Sequence, residues 1–224
     1  MAYVVGGHNG SGKSTLWRDR LAPHLHVPLI NADRLTLSIL PDASAKGRLV
    51  PWAQRLRDED ERWQRVSQEA VRAFTSIVMA EKMAFAFETV FSEWRRQPDG
   101  TVASKLELIK NLQVAGYAVV LLFVGLASVE LSIARVMTRV AQGGHSVRLD
   151  KLKTRFPRTQ QAIGEAARVA DVTLMFDNSG PPSEGFTLAR FCTPKRVAYD
   201  IRGDKSASAS VAGLARSWLS IVAP

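Results

Sequence analysis

Short, unbroken apolar runs alternate along the chain with longer stretches in which apolar residues return every third or fourth position. The runs predict strands buried on both faces, and the longer stretches predict helices that cover them. Five runs qualify as strands: residues 2–6, 27–32, 84–90, 117–124 and 172–176. Helices are expected over 14–25, 34–40, 105–115, 129–142 and 149–170, the last interrupted near Pro157. Residues 52–83 hold few breakers and carry Trp63, Val66, Ala70, Phe74, Ile77 and Val78 at helical spacing, which predicts one long helix. Gly116 and the pair Gly143-Gly144 act as stops. Residues 42–51 and 92–101, the latter with Arg95, Arg96 and Pro98-Asp99-Gly100, are expected as loops, 187–199 as a small hairpin, and 211–222 as a terminal helix. Alternating strands and helices predict an α/β fold: a parallel sheet of about five strands, helices on both faces, and a small C-terminal hairpin and helix.

Composition narrows this only a little. At 224 residues, 46% hydrophobic and 23% charged, the chain is long enough for one domain with a sizeable core. Residues 1–180 form that domain in this reading, and 181–224 are an extension of it. No apolar run reaches the roughly 20 residues of a membrane span, and the first residues lack a basic region and a cleavage pattern, so a cytoplasmic location away from membranes is expected. Cys192 is the only cysteine, which excludes an internal disulfide; an inert thiol packed on a strand is expected.

Charge says more. The net charge is +9, and eleven Lys or Arg against four acids lie between residues 95 and 158. A basic field of that kind attracts nucleic acid, an acidic protein or a nucleotide with several phosphates. The mixed-sign run from 55 to 65 is expected to be a solvated helix face.

The sharpest feature is Gly7-His8-Asn9-Gly10-Ser11-Gly12-Lys13-Ser14, followed by Thr15. It matches the phosphate-loop pattern in full, directly after an apolar strand and directly before a helix. Glycines let the backbone curl so that its N–H groups converge on phosphate oxygens, and the helix adds its positive end. Lys13 is expected to reach the β- and γ-phosphates, and the Ser14 hydroxyl to hold Mg²⁺. The guanine-reading N-K-x-D pattern is absent, so ATP ranks ahead of GTP. The transport-ATPase signature is absent too, which leaves a small-molecule kinase.

Other chemistry falls at the strand ends, where open α/β sheets bind ligands. Asp33 follows the second strand. It is a candidate base for an acceptor hydroxyl, or a Mg²⁺ contact, and would equally serve as N-cap of the next helix. Glu88 and Thr89 end the third strand. Arg135 and Arg139 share a helix face, with His145 and Arg148 just past the glycine pair, as in a lid that closes over transferring phosphate.

These segments, namely the phosphate loop, Asn31-Ala32-Asp33, Phe87-Glu88-Thr89, residues 116–119, the stretch 135–147 and Phe176-Asp177-Asn178-Ser179, together resemble the zeta-toxin family of P-loop kinases. The resemblance runs in order from about residue 3 to 180. It implies ATP-dependent phosphorylation of a small hydroxyl acceptor, a nucleotide sugar such as UDP-N-acetylglucosamine in the best-known members. It implies Lys13 and Ser14 on phosphate and Mg²⁺, Asp33 as base, Glu88 and Thr89 on the acceptor, and Arg135, Arg139 and His145 on the phosphates. A small antitoxin protein is the partner it suggests. Two alternatives stay open at this point: a polynucleotide or nucleotide kinase, and a non-catalytic nucleotide-binding module.

Overall fold

The computed structural model describes residues 1–43, 49–98 and 102–223. The middle of the 42–51 loop, and Asp99 and Gly100 of the 92–101 loop, lie outside the described residues. Strand β1 (Ala2–Gly7) is an interior strand, third of seven in one sheet. To one side lie β3 (Phe85–Thr89) and β2 (Leu29–Ile30); to the other lie β6 (Val119–Gly125) and β7 (Val172–Asp177), all parallel to it. The hairpin β8 (Thr187–Thr193) and β9 (Arg196–Asp200) does not stand apart. β8 pairs antiparallel with β7, Asp177 opposite Thr187, so the hairpin extends the same sheet by two strands. A separate antiparallel pair joins β4 (Trp94–Arg96), within the stretch expected to be loop, to β5 (Val102–Ser104) just past its end.

One face of the sheet carries the larger core, in which Val4, Phe85, Leu121 and Phe123 meet residues of α5 (Glu61–Ala80), α6 (Leu106–Val114), α8 (Leu149–Val169) and α9 (Ala209–Val222). The indole of Trp218 on α9 is completely buried and meets the Phe123 ring edge-on at 5.3 Å. On the opposite face, Val5 and Leu122 pack with Trp17 and its neighbours. Cys192 is a buried free thiol on β8. No helix among the described residues is long and apolar enough to cross a membrane.

Several elements differ from the sequence expectation, each for a local reason. Helix 14–25 is three pieces: α1 (Lys13–Leu16), a wide π-type turn over Trp17–Leu21, and α2 (Ala22–Leu25). Pro23 has no N–H to continue the i→i−4 ladder, so the ladder changes pitch before it. The long helix of 52–83 is two, α4 (Pro51–Glu59) and α5, because Asp60 is extended. Its carboxylate accepts hydrogen bonds from the N–H groups of Arg62 (2.8 Å) and Trp63 (3.3 Å) and so caps a new helix. Conversely, α8 runs through Pro157, which sits on the exposed face where water can satisfy the freed carbonyl. Asn31, and not Asp33, is the N-cap of α3 (Ala32–Leu37): its side-chain oxygen accepts from Arg34 N–H at 3.1 Å.

Candidate functional site

The glycine-rich loop leaves β1 and turns into α1. Gly10 and Gly12 have φ of 70° and 91°, a region closed to most side chains. A Cβ on Gly12 would also lie 2.7 Å from the Asn178 amide nitrogen, so the wall of the loop is built to glycine dimensions. That wall comes from β7's exit: Asn178 Nδ2 donates to the Ser11 carbonyl at 2.8 Å. On the other side α7 (Val129–Ala141) leans over the loop, with the Ser132 hydroxyl donating to the Asn9 carbonyl at 2.7 Å. The Ser11 hydroxyl is buried with no partner among the described residues, leaving a donor in the loop.

Lys13 is buried and donates from Nζ to the carbonyls of Gly7 (3.1 Å) and His8 (2.8 Å). Burial lowers its ammonium from 10.5 to about 8, although the carboxylates of Glu88 and Asp33 pull the other way. Ser14 donates its hydroxyl proton to Glu88, with oxygens at 2.8 and 3.1 Å. Parallel register explains this meeting: Val5 lies opposite Glu88 and Gly6 opposite Thr89, so the end of β3 stands beside the start of the loop. The Thr89 hydroxyl accepts from Phe91 N–H at 3.4 Å. Thr15 is exposed on α1.

Arg135 and Arg139 both face this region from α7. A Cβ on Gly10 would come within 3.1 Å of Arg135 Cβ, which shows how close helix and loop lie. Burial lowers Arg135, with the buried carboxylate of Asp177 opposing. Arg139 is exposed in part, and desolvation lowers its guanidinium against the pull of Asp33, Asp58 and Glu88. Lys13, Glu88, Asp33 and Arg139 therefore act on one another, and the structure brings these four predicted residues into one electrostatic neighbourhood. His145 takes a different place: its Nδ1 lies 2.7 Å from Asp58 on α4. Arg148 is a surface residue paired with Asp150.

Sequence reasoning missed Arg57 and Asp58, which it placed on a solvated face. Their side chains are only 8% and 10% exposed and pair with each other. No local signal marks them, since their burial depends on a loop 87 residues away.

The His8 ring points away from the loop interior. It stacks on Phe156 of α8 with centroids 3.8 Å apart, and neither ring nitrogen has a partner among the described residues. Burial, helped by the nearby Lys13 charge, lowers it from 6.5 to about 3. The unfolded chain takes up this proton near pH 6.5 and the folded chain does not until about pH 3, so stability is full above that window and drains away within it. Urea unfolding of wild type should lose up to about 1.4 kcal/mol per pH unit more than His8→Leu as pH falls from about 6 to about 4. Parallel slopes for the two proteins would contradict this.

Comparison with known proteins places the chain in context. A family model described as Zeta toxin matches residues 1–181. An uncharacterized protein of Haemophilus influenzae is 28% identical over 150 residues, covering 67% of this chain and 88% of that one. A structure from the PezAT chromosomal toxin–antitoxin system of Streptococcus pneumoniae is similar at a TM-score of 0.56 and 13% identity, over 99% of this chain and 77% of that one. The complex AvrRxo1-ORF1:AvrRxo1-ORF2 with sulphate ions gives a TM-score of 0.60 at 13% identity, over 98% and 75% of the two chains. The last two likenesses concern the fold.

Proposed function

The chain belongs to the Zeta toxin family, and from that premise we propose that it is an ATP-dependent kinase acting on a hydroxyl of a small acceptor, with a nucleotide sugar such as UDP-N-acetylglucosamine as the first candidate. The observation that carries this reading is the complete glycine-rich loop with Lys13 buried against its carbonyls and the Ser14 hydroxyl bonded to Glu88. A phosphoryl transfer needs charge on the γ-phosphate, a group to take the acceptor's proton, and little else from the protein.

The loop amides from Gly7 to Ser14, with the Ser11 hydroxyl, bind the phosphate chain, and Lys13 supplies the positive charge at the β- and γ-oxygens. The hard oxygen donors of Ser14 and Glu88, already hydrogen-bonded to each other, suit Mg²⁺, which usually takes one or two protein oxygens and otherwise phosphate and water. Bound there, the ion would offset charge on the phosphates. Arg135 and Arg139 approach from α7 and stabilise the charge spread over the transferred group. Asp33, on the first turn of α3, accepts the acceptor's proton. The Thr89 hydroxyl, at the end of β3 beside Glu88, orients the acceptor. A second protein as antitoxin is proposed by likeness to the system from Streptococcus pneumoniae.

The test is mass spectrometry of a panel of UDP-sugars, and of a metabolite extract, after incubation with protein, ATP and Mg²⁺. A single species gaining one phosphoryl group is expected. ATP bound with no phosphorylated product in any mixture would refute the kinase reading and leave a nucleotide-binding module.

A further inference from the structure

The last turn of α7 ends in a Schellman motif. Gly144 N–H bonds the Arg139 carbonyl at 2.9 Å, and Gly143 N–H bonds the Val140 carbonyl at 2.9 Å. Gly143 has φ of 88°, which sends the chain sharply back along the helix. The returning segment runs against Arg139 itself: a Cβ on Gly144 would lie 2.5 Å from Arg139 Cγ and 3.0 Å from its carbonyl oxygen. The turn thus lays residues 144–146 alongside the arginine. There the His145 carbonyl accepts a hydrogen bond from Arg139 Nη2 at 2.8 Å.

The same segment is fastened from outside by α4. Asp58 takes the His145 imidazole on Oδ1 at 2.7 Å and the Ser146 hydroxyl on Oδ2 at 3.3 Å. Arg57 holds Asp58 through Nε (2.7 Å) and Nη2 (3.1 Å), and its Nη2 also donates to the Gly144 carbonyl at 3.3 Å. Burial pushes the Asp58 carboxyl up, but the hydrogen bonds from Arg57 and His145 outweigh it and hold Asp58 below the usual carboxylate range, so it stays ionised. A part-buried, ionised carboxylate with this many donors fixes geometry more firmly than a surface pair does.

We infer that Asp58 is a positioning residue: it latches segment 144–146 onto α4, and the His145 carbonyl thereby sets the direction of the Arg139 guanidinium in the site. The inference rests on the kinase reading for its catalytic consequence, though the latch itself does not. Asp58 touches no reacting atom; it acts through His145 and Arg139. A guanidinium released from its carbonyl partner keeps its charge but loses its aim, and a displacement of about 1 Å costs roughly 10²-fold in rate.

The experiment combines kinetics with hydrogen exchange. Asp58→Asn should lower kcat by about 10- to 100-fold and leave KM for ATP within about threefold. In an Arg139→Ala background the same change should alter kcat by less than about twofold, because the aim it protects is gone. His145→Ala, at the loop end of the latch, should act in the same direction and covers the case in which Asp58→Asn folds poorly. Without any nucleotide, backbone amides of residues 144–148 should exchange faster in Asp58→Asn than in wild type. Unchanged exchange, or costs that simply add to those of Arg139→Ala, would overturn the inference. If wild type transfers phosphate to no acceptor while exchange still accelerates in the variant, the kinase reading falls and the latch stands.

Discussion

Lys13→Ala is expected to abolish phosphoryl transfer, by at least about 10²-fold in kcat/KM, while leaving the empty protein no less stable than wild type. The two halves of the prediction have one cause. The ammonium is buried, and burial lowers it from 10.5 to about 8, so at neutral pH the folded chain carries a charge it would rather discard. That shift corresponds to roughly 3 kcal/mol against folding, partly offset because alanine leaves the Gly7 and His8 carbonyls without their donor. The same charge, aimed at developing negative charge in a dry site, is worth about 10²- to 10³-fold in rate. Kinetics and thermal melting of the two proteins, side by side, check it. Full transfer by the variant would mean the loop is misassigned, and a large drop in melting temperature would mean that Lys13 is structural. Bound phosphate should also restore the proton, so calorimetry above about pH 8 should show proton uptake on ATP binding that Lys13→Ala lacks.

Asp33→Asn should lower kcat by about 10² or more and change KM for ATP little. Asparagine keeps the shape and cannot accept a proton as a base. The helix should survive, because Asn31 caps it and Asp33 does not. An effect on KM for ATP larger than on kcat would move Asp33 from the acceptor to the nucleotide side. Undiminished kcat would put the base elsewhere.

How much of this could be read from the chain depended on distance along it. The course of the loop from Gly7 to Ser14 was legible because it is set by contiguous residues: an apolar strand, glycines that admit positive φ, then a helix. The five parallel strands were legible because strands buried on both faces must be apolar throughout, as β1 and β6 are. Asp58 was not legible. Its neighbours Arg57 and Glu59 look like any solvated helix, and only folding brings His145 to it. The break at Asp60 was missed because helical spacing of apolar residues continues across it, and the cap is a matter of one φ/ψ pair. Pro157 misled in the opposite direction, since a proline on the wet side of a helix need not end it.

The similarity to the family stops at residue 181, but the molecule does not divide there. Trp218 donates its indole N–H to Asp177 at 2.7 Å, and the same carboxylate accepts from Ser179 while it faces Arg135. Gly125, at the end of β6, has no room for a methyl because that indole lies where its Cβ would be, at 2.5 Å. A shortened clone ending at the family boundary would therefore strip the packing from beside the end of β6 and the exit of β7 that walls the glycine-rich loop. Such a fragment belongs among insoluble products on a gel, and its silence in an assay would say nothing about the chemistry of the 224-residue chain.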